Sequence, residues 1–213
     1  VLFLKAIEFS EISLAIPLLS FTPLFSTIFA YMFLDEKLFF SDYLAIIIII
    51  IGALTLYSKS MQFLEFYITI KNFYINKSSR YMFIVSIIWS LAPTLDKICL
   101  KYTSIPLHGL IQSLGIFLLL ILINYKTINI NFNKNKKLSF LFFTVLIGIL
   151  ANVLQFYAIL MNYISTMEAI KRTIGQLGSI ILGRLFLKEI INLNKIIGVS
   201  FMIIGVLVLL NIN

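Results

Sequence analysis

Apolar runs of near-membrane-spanning length follow one another along the whole chain, broken by short polar turns and two longer polar stretches. No other feature constrains the fold as strongly. In a bilayer only α-helices and closed β-barrels satisfy their own backbone hydrogen bonds. Barrel strands alternate apolar and polar residues, and these runs do not. A crossing helix needs roughly 20 apolar residues. Full helices are expected at Ile12–Leu34, Phe40–Tyr57, Tyr81–Leu100, Pro106–Asn124, Leu138–Asn162, Met167–Leu187 and Asn194–Leu210, with a partial helix at Val1–Ile7. The expected fold is all-α, a polytopic transmembrane helix bundle of seven full helices plus one partial. Composition agrees, with 61% hydrophobic and 12% charged residues. A soluble domain carries about 25% charged residues, so this chain could not cover its own surface in water.

The net charge of +8 would suggest nucleic acid in a soluble protein. Here most lysines fall in the turns between apolar runs, where anionic lipid head groups are the natural partner. The single Cys99 and single His108 exclude a disulfide framework and paired Cys or His metal motifs; no metal or cofactor is expected. Of the two long polar connections, Tyr125–Lys137 reads as loop, while Ser58–Arg80 contains FLEFYITIKNFY, which suits an amphipathic segment in the membrane interface. The chain opens on Val1, with VLFLKAI too short to span and no basic region ahead of it. The native protein is therefore expected to begin further upstream.

Sliding the chain against itself by 153 positions lays SFTPLFSTIFAYMFLDEKL over TIGQLGSIILGRLFLKEII. Ser26 meets Ser179, Phe33-Leu34 meets Phe186-Leu187, and Glu36 meets Glu189. Without a gap the match runs on to Ile50-Ile51-Gly52 over Ile203-Ile204-Gly205. Apolar matches come easily in a membrane protein, but an F-L-x-E run and an aligned glycine at constant offset do not. Five crossings are expected between Glu36 and Glu189, and an odd number turns the second copy upside down. Inverted repeats of this kind place binding sites near the midplane, between the halves.

SLAIPLLSFTPLFSTIFAYMFLDEKL with the following IIGALTLY resembles the end of one repeat of the drug/metabolite transporter superfamily (EamA-type). AIKRTIGQLGSIILGRLFLKE with IIGVSFMIIGVLVLL resembles the end of its second repeat, and WSLAPTLDKICLKYTS the start of that repeat. The resemblance implies inverted five-helix repeats, the first incomplete in this chain. It divides the sequence into residues 1–57 (the C-terminal part of the first repeat), 58–80 (a polar connecting loop) and 81–213 (the second repeat). It also implies a transporter, without naming a substrate, since members carry amino acids, nucleosides, drugs and sugar phosphates.

If the side reached after Leu34 is side A, three segments bring polar groups to side A. They are Asp96, Lys97 and Lys101; His108 with Gln112 one turn deeper; and Glu168, Lys171 and Arg172. Glu168 stands three and four residues before the two cations, so local ion pairs can form on one helix face. Two readings stand for these charges. They line a substrate path, because charges inside a membrane usually face the bundle interior or a wet cavity, or the cations snorkel to the head groups with Glu168 as counter-ion. The Lys171-Arg172 pair resembles the anion-binding pair of plastid sugar-phosphate translocators in the same superfamily. The further lysine of those translocators is replaced by Leu19 here, which weakens phosphate as a substrate.

Gln176, Asn152 and Gln155 fall well inside expected helices, where amides either bind substrate or hold helices together. Ser13, Ser20 and Thr27 recur every seven residues beside Pro17, along a helix that also holds Pro23. This polar face either lines the cavity or satisfies carbonyls freed by the prolines. Trp89 adds an aromatic wall or packs. Gly175, Ser179 and Gly183 have the small-xxx-small spacing of close helix contacts.

The substrate-binding candidates are thus Lys171, Arg172, Glu168, Gln176, Asn152, Gln155, His108, Gln112, Ser20, Thr27 and Trp89. The expected function is secondary transport of a small polar or anionic metabolite by alternating access. The competing readings are a non-transporting fragment or membrane scaffold and, with no recognisable catalytic constellation, an enzyme on lipid-linked substrates. Expected partners are the metabolite, the lipid bilayer and a second copy in a homodimer, with no nucleic acid. The expected location is the cell (inner) membrane. More lysines fall on side B, which the positive-inside rule places in the cytoplasm; the family arrangement places side A there.

Overall fold

The computed structural model describes residues 2–8, 16–57, 77–124, 137–188 and 192–211. Within them the chain runs through α1 (Leu2–Glu8), a 3₁₀ segment (Ile16–Phe21), α2 (Thr22–Leu34), α3 (Phe40–Tyr57), α4 (Lys77–Leu100), α5 (Ile105–Asn124), α6 (Lys137–Met161), α7 (Ile164–Leu187) and α8 (Leu193–Asn211), with no strand among the described residues. The fold is the all-α polytopic bundle that the apolar runs predict. Four helices, within Lys77–Leu100, Ile105–Ile123, Phe140–Met161 and Leu193–Leu210, are long and apolar enough to cross a membrane, and Leu18–Leu34 and Phe40–Leu56 are shorter apolar stretches. α7 has the length but carries Glu168, Lys171, Arg172 and Arg184. The interfacial segment expected at 63–74 lies outside the described residues.

Two expected boundaries are corrected. The helix expected at Ile12–Leu34 is not continuous: a 3₁₀ segment precedes Pro23, and the α-helix proper starts at Thr22. Proline lacks the N–H that would bond back to Leu19 O. The Thr22 hydroxyl donates to that carbonyl instead, at 2.5 Å. Ser26 and Thr27 donate to Thr22 O and Pro23 O, both at 2.8 Å. Helix α4 begins at Lys77, inside the stretch expected to be loop. Ser78 and Ser79 are buried there, and the Ser78 hydroxyl donates to Ala6 O of α1, which ties the start of α4 to α1.

The F-L-x-E repetition marks a turn. Asp35 closes α2 in the left-handed region at φ 56°, and Lys188, its equivalent 153 residues on, closes α7 at φ 55°. No other described non-glycine residue has positive φ. Both copies thus end their helix on the same left-handed residue, a conformation that lets orphan carbonyls of the last turn find donors.

Helices α3 and α8 form the closest contact of the fold, and the repeat governs it. A Cβ at Gly52 would lie 2.6 Å from Gly198 O and 2.8 Å from Met202 Cγ. A Cβ at Gly205 would lie 2.8 Å from Ala45 O and 2.5 Å from Ile49 Cγ1. The offset of 153 turns the first pair of contacts into the second: Gly52 becomes Gly205, Gly198 becomes Ala45, and Met202 becomes Ile49. Numbers rising along α3 meet numbers falling along α8, so the helices are antiparallel. Contacts that exchange in this way are those of a two-fold axis across the pair, which is the relation that inverts one repeat against the other. Ala45, Ile49, Ala53, Leu56, Met202 and Leu209 make the buried core of this contact, joined by Ala169 of α7. Without a hydrophobic force between helices in lipid, close backbone approach through small residues supplies the van der Waals contact that holds such a pair.

The chain forms two compact units, Val1–Thr94 with Tyr163–Asn213, and Leu95–Asn162. The first contains the α3–α8 pair, α2 packed on α7, and a second core of Ala6, Leu18, Leu19, Met82 and Val85. The second contains the end of α4 with α5 and α6. Their apolar side chains, Phe117 and Phe142 among them, are exposed along the helices, as befits helices whose solvent is lipid.

Candidate functional site

The head of α7 gathers the charges of the first unit. Glu36, buried after the left-handed turn, accepts the Ile164 N–H at 2.9 Å with Oε2. A carboxylate here satisfies a helix-end donor and meets the partial positive charge of the α7 N-terminus. One turn further in, Glu168 is fully buried. Lys171 Nζ donates to Glu168 Oε1, and Arg172 Nε lies 4.0 Å from Glu168 Oε2. The expected i,i+3 and i,i+4 pairing is therefore present, with Lys171 the more exposed cation.

Arg172 is held from another side by Trp89. Its guanidinium carbon lies 5.4 Å from the indole centroid, and Trp89 stacks on Phe3 with centroids 5.2 Å apart. A cation over an indole face is attracted by the ring quadrupole. One turn deeper along α7, Gln176 Nε2 donates to Ser20 Oγ at 3.0 Å, linking the 3₁₀ segment to α7. Lys171, Arg172, Glu168, Gln176, Ser20 and Trp89 thus come together in one unit. Thr27 donates to Pro23 O in its own helix, which is the backbone-satisfying role.

His108 and Gln112 belong to the second unit. His108 Nε2 and Gln112 Nε2 each lie 3.1 Å from Asp96 Oδ1, and the His108 ring meets Phe156 edge-on at 5.0 Å. Nearby, Lys97 Nζ donates to Asn162 O at 2.7 Å. Asn152 is exposed and Gln155 half-buried on α6; depth along a helix does not fix which way an amide faces. Gly175 has no atom within 4 Å of where a Cβ would stand. Close approach falls instead to Gly52, Gly198 and Gly205, which lie on the α3–α8 seam; the side chains at 179 and 183 lie outside the description.

Sequence reasoning missed three participants. Glu36 was legible only as a repeat marker. Ser165 and Thr166, both buried, precede the expected helix start at Met167. The run S-T-M-E fits the spacing of a helix start and would have moved that boundary.

Residues 1–58 and 78–211 match the family model of the EamA-like transporter family. The chain belongs to that family, and with it to the integral membrane transporters of small molecules. No curated protein gives a match.

Proposed function

We propose that the chain moves a small polar or anionic metabolite by alternating access across the cell (inner) membrane, and that Lys171 and Arg172 hold the negative group of that metabolite. The carrying observation is the α7 head: two cations share one buried carboxylate, and Arg172 Nε is buried without a hydrogen-bond partner among the described residues. A guanidinium with an unused N–H, steadied by Trp89, is prepared to accept an anionic oxygen. The snorkelling reading requires the cation to reach the head groups, whereas the Arg172 side chain is only 18% exposed.

Arginine grips a carboxylate or phosphate with a planar fork of donors, and lysine presents a point charge. Arg172→Lys is therefore expected to impair transport although the charge is kept, and Arg172→Ala to impair it further, by about tenfold or more. The measurement is counterflow of a library of labelled organic anions in proteoliposomes, at matched protein insertion. Wild-type rates in both variants would return these residues to the membrane interface.

A further inference from the structure

The cluster at the head of α7 carries an unbalanced charge, and its consequence rests on the anion-binding reading just given. Lys171 and Arg172 face a single carboxylate, Glu168, whose side chain is 0% exposed. Among these three side chains one positive charge is left over. Glu36 already occupies the Ile164 N–H, so the demand for an anion comes from the side chains and not from the helix end.

We propose that the head of α7 takes the carboxylate of a singly charged organic acid, and that Glu168 is the residue that disfavours doubly charged phosphate esters. Four buried side-chain atoms there have no hydrogen-bond partner among the described residues: Ser165 Oγ, Thr166 Oγ1, Glu168 Oε2 and Arg172 Nε. Ser165, Glu168 and Arg172 stand at i, i+3 and i+7, along one stripe of the helix. The guanidinium N–H and the hydroxyls are free to donate to an incoming carboxylate. With one such group in place, two cations face two anions and the cluster is neutral. A dianion leaves one negative charge uncompensated beside a fully buried carboxylate, where an unpaired charge is strongly disfavoured. A lysine-arginine pair without Glu168 would match a phosphate monoester; Glu168 moves the preference by one charge.

The test compares benzoate with phenyl phosphate, and propionate with ethyl phosphate, as ligands of the full chain purified in detergent, by isothermal titration calorimetry. Each pair shares an organic body, and the esters are dianions at about pH 8 because their second pKa lies near 6. The wild type is expected to bind the carboxylates more tightly by at least about tenfold, and Glu168→Gln to reduce or reverse that preference by a similar factor. Equal or tighter wild-type binding of the esters, or an unchanged ratio in Glu168→Gln, would overturn the inference while leaving the anion site standing. Binding of neither class by folded wild type would overturn the anion site and the inference with it. The wild-type preference decides the matter even if the variant does not fold.

Discussion

A single backbone angle shows how much one residue carries. Asp35 and Lys188 each take the left-handed conformation that ends a helix, φ 56° and 55°. Glycine adopts this region without steric cost, aspartate tolerates it through its short polar side chain, and lysine has neither advantage. Replacing either by glycine should stabilise the fold, by about 0.5–1 kcal/mol, and Lys188→Gly should gain more than Asp35→Gly. Thermal unfolding in detergent reads this directly, and a lower midpoint for both variants would show that the side chains matter more than the angle. The same scale explains the hydroxyls of α2. Thr22, Ser26 and Thr27 serve backbone carbonyls around Pro23, while Ser20 receives the Gln176 amide and so belongs to the site.

At the scale of elements, the α3–α8 seam is held by what is missing. Gly52, Gly198 and Gly205 leave no room for a methyl group, and at Gly198 the obstruction is backbone, Gly52 O at 2.6 Å and Leu56 N at 2.7 Å. Backbone does not swing aside as a side-chain tip does. Gly198→Ala should therefore push the helices apart and cost about 1–3 kcal/mol, the range for overpacking. Gly52→Ala should behave alike, because its Cβ would meet backbone directly, Gly198 O at 2.6 Å and Met202 N at 2.9 Å. Gly148→Ala, with nothing within 4 Å, serves as the control and should fall within about 0.5 kcal/mol of wild type. Equal stability of Gly198→Ala and Gly148→Ala would mean that the seam is looser than these distances state.

At the scale of the molecule, Glu36 ties one repeat to the other: it follows the last helix turn of the first copy and accepts the first N–H of α7 in the second. Four helices lie between, an even number, so four crossings would return the chain at Ile164 to the side it reached after Leu34, which is what the hydrogen bond requires. Glu36→Ala leaves a buried donor without its acceptor and should cost about 1–3 kcal/mol; Glu36→Gln keeps an oxygen in place and should cost less. Chemical unfolding followed by tryptophan fluorescence suits the test, because Trp89 lies in the same unit. An Ala variant as stable as wild type would deny Glu36 this linking role.

The sequence by itself determined the membrane class, the all-α fold, the spacing of the helices and the repeat at offset 153. These are properties of the chain in one dimension: apolar length answers to bilayer thickness, and a duplicated segment carries its signature residues with it. The ion pairs of Glu168 with Lys171 and Arg172 were legible for the same reason, being neighbours on one helix. Tertiary structure decided the rest. Trp89 meets Arg172, Gln176 meets Ser20, and Glu36 meets Ile164 across separations that no local pattern spans. Gly175 lies in open space while Gly198 is in contact with backbone, though both are small residues in apolar helices. Which face of a helix meets another depends on how the helices are rotated and crossed, and that is set by the packing of the whole unit, not by the residue's own neighbours in sequence.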